Sequence, residues 1–489
     1  TEALQGKMAG VQITTTEGSP DAQMSIRVRG GGSITQSNEP LFIVDGFPVE
    51  SISDIPPTDI ESIDVLKDAS STAIYGARGA NGVIIVTTKS GKEGKVSVSY
   101  NAYYAWKKVA KTLDVLSASD YTKWQYELAQ LTNKNDDYIK YFGNYQDLDM
   151  YDNVATNDWQ DLTFGRTGHS FNHNLSINGG SDKFKYSFSY SHIDDKAIMQ
   201  MSDYARDNLN LKLNHKPLKN VSLDFSARFS KTKINGGGSN DANSSLNTDK
   251  RLKYSLLYTP YPVPGISDAL NADEEDANSL LINPLISLRD NDTRKERINY
   301  NLAGSITWEI IKDLKLKAEV GYDDYRNNAD RYYGVTTYYV RNNVDDEDKS
   351  KPAISFTRGT RTAFRSTNTL SYDFKKFFKN NKNHLNLLAG QEYIVTRERE
   401  LRNVVHGFPT EYTADDCINY STKGNPYEVT NYGYPDDVLF SFFGRANYDF
   451  DSKYLFSATF RADGSSKFAK GNQWGFFPSA AVAWRISSE

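Results

Sequence analysis

The chain carries one cysteine, Cys417, in 489 residues. An intrachain disulfide is therefore excluded, and redox compartment cannot be read from it. Histidine is scarce too, with six in all. His169 and His173 lie four apart on a strand pattern, about 13 Å from each other, too far to share one metal ion. His192 and His215, on neighbouring strands, read likewise as wall histidines, so no metal or cofactor is expected. There is no His-Glu-x-x-His helix and no Gly-x-Ser-x-Gly elbow, so an enzymatic reading lacks its nucleophile and base. No apolar run approaches the ~20 residues of a membrane-spanning helix, and mean hydropathy is −0.62. That excludes a helical membrane protein but not a membrane barrel, whose strands alternate apolar and polar and average out as hydrophilic. A net charge of −5 and a pI near 5.8 leave no broad basic surface, so nucleic acid is not an expected partner. The chain opens at Thr1 without an initiator Met or a signal peptide. It reads as an internal piece, with any export signal upstream.

Aromatics are abundant, with 32 Tyr and 24 Phe. Before they gather into a pattern, the first ninety residues form a unit of their own. Leu4 to Ile13 reads as a helix end followed by a strand, Gly18 to Asp21 as a turn, and Ser25 to Gly30 as a half-buried strand. Gly30 to Ser33 lacks the Lys-Ser/Thr of a phosphate-binding loop and reads as a flexible turn. Pro40 to Val49 gives strand, Asp45-Gly46 turn, strand. Thr58 and Glu61 have capping-box spacing, and Ile60, Ile63 and Leu66 then predict a short helix from Asp59 to Leu66. Gly76, Gly79 and Gly82 suit tight turns, and Val83 to Thr88 suits a buried strand. The segment predicts a small mixed α/β domain over residues 1–90, polar on its outside through residues such as Arg27, Arg29, Asp45, Asp59 and Arg78.

From Lys95 the pattern changes to long two-residue alternation. Val96, Val98, Tyr100, Ala102, Tyr104 and Trp106 share one face, and Ser97, Ser99 and Asn101 the other. The pattern recurs to residue 486 and gives twelve strands. Ten to twelve residues tilted about 40° cover ~25 Å, the height of an outer-membrane barrel's apolar belt. The connections alternate long (109–167, 196–203, 234–292, 328–355, 398–437, 464–473) and short, as external loops and periplasmic turns do. A secreted array of sandwiches would alternate too. These strands exceed the usual ~5–6 residues, however, and Tyr104, Trp106, Tyr190, Trp308, Tyr322, Tyr372, Phe450, Tyr454 and Trp484 cluster at strand ends like interface girdles. The predicted fold is a transmembrane antiparallel β-barrel, partial at about twelve strands over residues 95–489, with the α/β unit inside its lumen.

The run Asp59-Ile60-Glu61-Ser62-Ile63, Val65 to Ser71, Ala73 to Gly82 and Val83 to Thr88 resembles the end of the plug domain of TonB-dependent outer-membrane transporters, above all the SusC/RagA family. Phe443 to Tyr448, Phe460 to Phe468 and Trp474 to Ser479 are similar to that family's mid-barrel signature. The resemblance implies import of glycans or peptides under a SusD-like surface lipoprotein, energised by a TonB-ExbB-ExbD complex and embedded in outer-membrane lipid. It also implies that the barrel continues beyond Glu489 and that a TonB-contacting box and a small N-terminal domain lie upstream. A siderophore or cobalamin receptor is the alternative cargo; a surface adhesin or glycan-binding protein without transport is the alternative class.

Candidate substrate contacts are aromatics of the external loops: Tyr258 and Tyr261, Tyr338 and Tyr339, Tyr432 and Tyr434. Such rings pack against sugar faces or peptide side chains, or simply hold the loops together. The acidic groups 273–276 and 345–348 lack EF-hand spacing and read as solvated loop charge. Residues 119–131 predict an amphipathic helix in the first external loop.

Overall fold

The computed structural model describes residues 10–15, 24–31, 34, 37–236, 251–264, 266, 282–342, 347–374 and 382–488. The helix end expected before Gly10, the turn at 18–21, the acidic group 273–276 and the first half of 345–348 lie outside these residues; Asp348, within them, is buried and accepts from Asn425 at 3.1 Å, so it is not solvated loop charge.

The N-terminal unit holds a two-stranded sheet, β1 (Val11–Thr15) with β2 (Met24–Val28). A four-stranded sheet contains β3 (Leu41–Val44), β4 (Phe47–Val49), β5 (Ile60–Leu66) and β6 (Val83–Thr88) in the order β4-β3-β6-β5. Its core is built from Ile13, Ile26, Phe42, Val44, Ile52, Ile84 and Val86, and every member belongs to this unit. Residues 60–66 are a strand and not the expected helix. The register shifts between Ile60 and Ser62 against β6, so Glu61 is the extra residue of a bulge. The bulge puts Ile60, Ile63 and Val65 against one core at a spacing of three and then two. A three-residue step is also what a helix face shows, and this is why the sequence pattern misleads here.

The rest forms one 13-stranded antiparallel sheet. Its strands are β7 (Gly94–Lys107), β8 (Gly168–Gly180), β9 (Phe184–Lys196), β10 (Asp203–Leu218), β11 (Val221–Asn235), β12 (Thr293–Ile311), β13 (Leu314–Tyr333), β14 (Ala353–Asp373), β15 (Asn383–His406), β16 (Asn425–Gly433), β17 (Asp437–Phe450), β18 (Tyr454–Ser465) and β19 (Trp474–Trp484). All but β16 pair in chain order, and β7 and β19 end that path. Twelve of the strands are those read from the sequence. β16 is the addition, inside the 398–437 connection, where it pairs only with the outer part of β15 from Arg399 to His406.

The alternation sorts the two faces as expected. Leu209, Phe225, Tyr300 and Leu302 are exposed on the outside, while Ser187, Ser189, Ser191, Asn208, Asn210 and Lys212 are buried on the inside. Aromatics mark both margins of the outer apolar band. The upper margin passes through the register pairs Phe229–Tyr300, Tyr322–Phe364 and Tyr393–Phe440. The lower margin passes through Val221–Trp308, Leu314–Tyr372 and Phe450–Tyr454. Both margins step toward the short turns as they cross from strand to strand, which tilted strands in a flat membrane require.

Candidate functional site

The N-terminal unit sits against the inner face and touches β9, β10, β13, β14, β15 and β18, so the sheet curves round it. The seam is mostly polar. At the β3–β4 turn Asp45 and Gly46 both take positive φ (51° and 86°), the form that closes a two-residue hairpin. The Asp45 carboxylate accepts from the Thr88 amide at 2.9 Å, the Thr88 hydroxyl at 2.7 Å and Lys212 Nζ of β10 at 2.7 Å. Lys212 also donates to the Thr88 carbonyl at 2.8 Å. From the other side Arg365 of β14 donates to the Gly46 carbonyl. Phe47 lies where a side chain on Gly321 of β13 would fall: an added Cβ would meet its ring at 2.4 Å. Glycine at 321 is thus the socket for a plug aromatic.

A second anchor holds residues 74–78. Glu392 of β15 accepts from Arg78 of the plug at 2.8 Å, from Arg461 of β18 at 2.8 Å and from Arg365 at 2.9 Å. Arg461 donates to the Ile74 carbonyl at 2.6 Å and pairs with Asp463 at 2.6 Å. Glu392 and Arg461 are almost fully buried, which only mutual neutralisation permits. Gly76 (φ 60°) brings the plug backbone so close that a Cβ would lie 2.0 Å from Asp463 Oδ2. A third anchor is Asp59, buried and accepting from the Ser189 hydroxyl at 2.7 Å. Burial pushes its carboxyl above the usual range, partly offset by that bond and by Asn174 and Asn210.

Of the expected plug-surface residues, Asp45, Asp59 and Arg78 meet the wall. Arg27 is exposed, and Arg29 pairs with Asp68 of the same unit at 3.0 Å with both side chains exposed. Their wall partners Lys212, Arg365, Glu392 and Arg461 were not singled out as site residues. Their one signal is a charge in mid-strand on the face opposite the apolar row.

Above the seam, a cavity of about 550 Å³ lies between plug and wall, with Phe47, Glu50, Arg78, Arg361, Lys467 and Phe477 in its lining. The six candidate tyrosines do not gather there. Tyr258 and Tyr261 are buried among loop helices, where Tyr261 bonds Thr122 and Tyr258 packs edge-on to Trp159. In this chain both rings pack loop against loop. The helix expected over 119–131 forms, from Ala118 to Thr132, and is part of that packing. Tyr339 is half-buried, stacked on Tyr333 and bonded to His406 at 2.9 Å. The side chain of Tyr338 lies outside the described residues. Tyr432 and Tyr434 are exposed, with rings 6.4 Å apart. Among the described residues no group of three or more His, Cys, Asp or Glu is placed to hold a metal.

A small unit with its own core, seated by charge against the polar inside of a curved sheet with an apolar, aromatic-bordered outside, defines a plugged outer-membrane barrel. The chain belongs to the TonB-dependent receptor family: the family's β-barrel model matches residues 237–489 and its plug model residues 1–83. It is 31% identical to the TonB-dependent receptor SusC of Bacteroides thetaiotaomicron, over all of this chain and 48% of that protein. The RagAB peptide transporter superposes with a TM-score of 0.79 at 24% identity, over all of this chain and 55% of that one. The ferric citrate transporter FecA superposes less closely, at 0.56 and 11% identity, over 99% and 58%. The chain thus spans about half the length of the relatives it matches. SusC- and RagA-type receptors are outer-membrane β-barrels, and this wall is a part of one.

Proposed function

We infer that the whole receptor is an outer-membrane importer of glycans or peptides, working with a SusD-like surface lipoprotein and driven by an inner-membrane TonB complex. The observation that carries this reading is the separation of the plug's apolar core from the seam. Every core residue is the plug's own, while the seam is held largely by ion pairs and hydrogen bonds. A pull on the plug breaks polar contacts that water can replace, and leaves the greasy interior closed. A permanently sealed protein would gain by sharing its core with the wall. The cavity above the plug, with apolar walls and convergent charges, is of a size that takes a small nutrient.

The test is uptake in cells carrying the full-length receptor, with and without TonB. Nutrient import should cease when TonB is removed. Import that continues at the same rate would overturn the reading, and a protein that only binds its ligand at the surface would be an adhesin.

A further inference from the structure

The wall is not the same height all round. β15 runs to His406, far beyond the upper aromatic margin, and on its β17 side two strands share its length. β17 pairs with its lower part, from Asn383 to Thr396, and β16 with its upper part, from Arg399 to His406. β18 pairs with β17 only as far as Ser465, opposite Leu439. Above β18, therefore, no strand among the described residues pairs with the second edge of β16; β19 ends as low, at Trp474 opposite Gly464, so that edge faces an open lane.

The register shows which groups face that lane. The Tyr434 amide donates to the Glu398 carbonyl at 3.2 Å, so residues 434, 432 and 430 turn their amides toward β15. In an antiparallel pair the residues between them turn the other way. Val429, Asn431 and Gly433 thus direct three N–H and three C=O groups into the lane. Val429 is 69% exposed, and a Cβ on Gly433 would meet nothing within 4 Å. Edge strands in soluble proteins are commonly blocked by lysine, proline or a covering loop. Here the lane-facing residues are Val, Asn and Gly, and Pro426 stands outside them. The lane descends toward Lys467 and Phe468 of the β18–β19 connection, which line the 550 Å³ cavity beside the plug.

We propose that the free edge of β16 takes an extended peptide substrate by strand addition and guides it to the cavity. Alternating backbone donors and acceptors at strand spacing match a polypeptide and not a sugar chain. Side chains at alternate positions stay unread, which suits an importer of mixed peptides. The proposal rests on the import reading and selects peptide within it.

The experiment uses the full-length receptor in detergent and a fluorescein-labelled octapeptide of mixed alanine, serine and valine, read by anisotropy. Methylating alternate backbone nitrogens of the peptide should weaken binding about tenfold or more, the effect of losing two or three backbone hydrogen bonds. Asn431→Pro should do the same, since that nitrogen is not used by β15, and Asn431→Ser should bind as the parent does. Equal affinity for plain and methylated peptide, or no binding of the plain peptide at millimolar concentration, would overturn the proposal. So would an Asn431→Pro receptor that binds the octapeptide normally but loses a co-purifying surface protein, because the edge would then hold a partner's segment. TonB-dependent nutrient uptake is measured on the same variants. Uptake that needs TonB yet ignores Asn431→Pro leaves import standing while the edge proposal falls; uptake indifferent to TonB removes import itself.

Discussion

Glu392 serves three guanidinium groups at once, and only one of them belongs to the plug. Its loss leaves Arg461, nearly sealed from water, beside Arg365 and Arg78 with no shared counter-charge. Glu392→Ala should therefore destabilise the folded receptor by about 3–5 kcal/mol, read as a lower thermal or denaturant midpoint. Arg78→Ala should cost distinctly less, because Arg365 and Arg461 still neutralise the carboxylate. If the two variants unfolded alike, the wall's own pairs would be irrelevant to the seam. Asp59 gives a pH test of opposite character. Freed from the wall, its carboxyl would titrate near ~3.9. Docked, burial raises that value. Between the two values the seated plug keeps a proton that the freed plug has lost. Asp59's contribution to seating is thus fully present below ~3.9 and is lost as pH rises through the raised value. Plug release in mild denaturant should become easier from pH 4 toward pH 7, and Asp59→Asn should flatten that slope. A slope unchanged in Asp59→Asn would assign it to another group.

At the scale of elements, the segment 69–79 is shaped by closeness to β18. Gly76→Ala would put a methyl group on Asp463 Oδ2 and 2.9 Å from Arg461 Nε. Asp463 would have to swing away from Arg461, and the positive φ with ψ near −145°, a combination close to glycine's own, adds about 1–3 kcal/mol. Proteolysis within residues 1–93 should speed up in Gly76→Ala. Combining it with Asp463→Ala should cost less than the two single losses added together, since they disturb one contact. Strict additivity would place the damage elsewhere. The elements also show where sequence reading works. Below the upper aromatic margin one face of each strand meets lipid and the other meets the plug or water, so the period of two is plainly written. β16 stands above that margin, where both faces are wet, and its Asn-Pro-Tyr-Glu-Val-Thr-Asn-Tyr-Gly run carries no such code. β5 was misread because one bulged residue turns a strand's spacing into a helix's. In the seam, Asp45 and Arg78 were legible as plug charges. Their partners lie 167 and 314 residues away, and no local pattern gives that register. The tyrosines Tyr258 and Tyr261 carry the same aromatic signal whether they hold loops or ligands, and only burial separates the two roles.

For the molecule as a whole, the two aromatic margins fix its position in the bilayer. In a variant with Trp308 as the single tryptophan, reconstituted in liposomes, lipid brominated close to the headgroup should quench fluorescence more than lipid brominated at the chain end. The reverse order would move the apolar band off the face assigned to it. The margins also carry a slope. They descend about one residue, ~3.3 Å, for each strand spacing of ~4.8 Å, which corresponds to a lean of about 35°. A leaning ladder responds to axial load as cross-ply fabric does. When the plug is drawn toward the cell interior, the drag on Lys212, Arg365 and Arg461 meets rows of inter-strand hydrogen bonds obliquely. Under the proposed pull, many rungs would be sheared together and none peeled alone, which would keep the enclosure standing while its stopper is unseated.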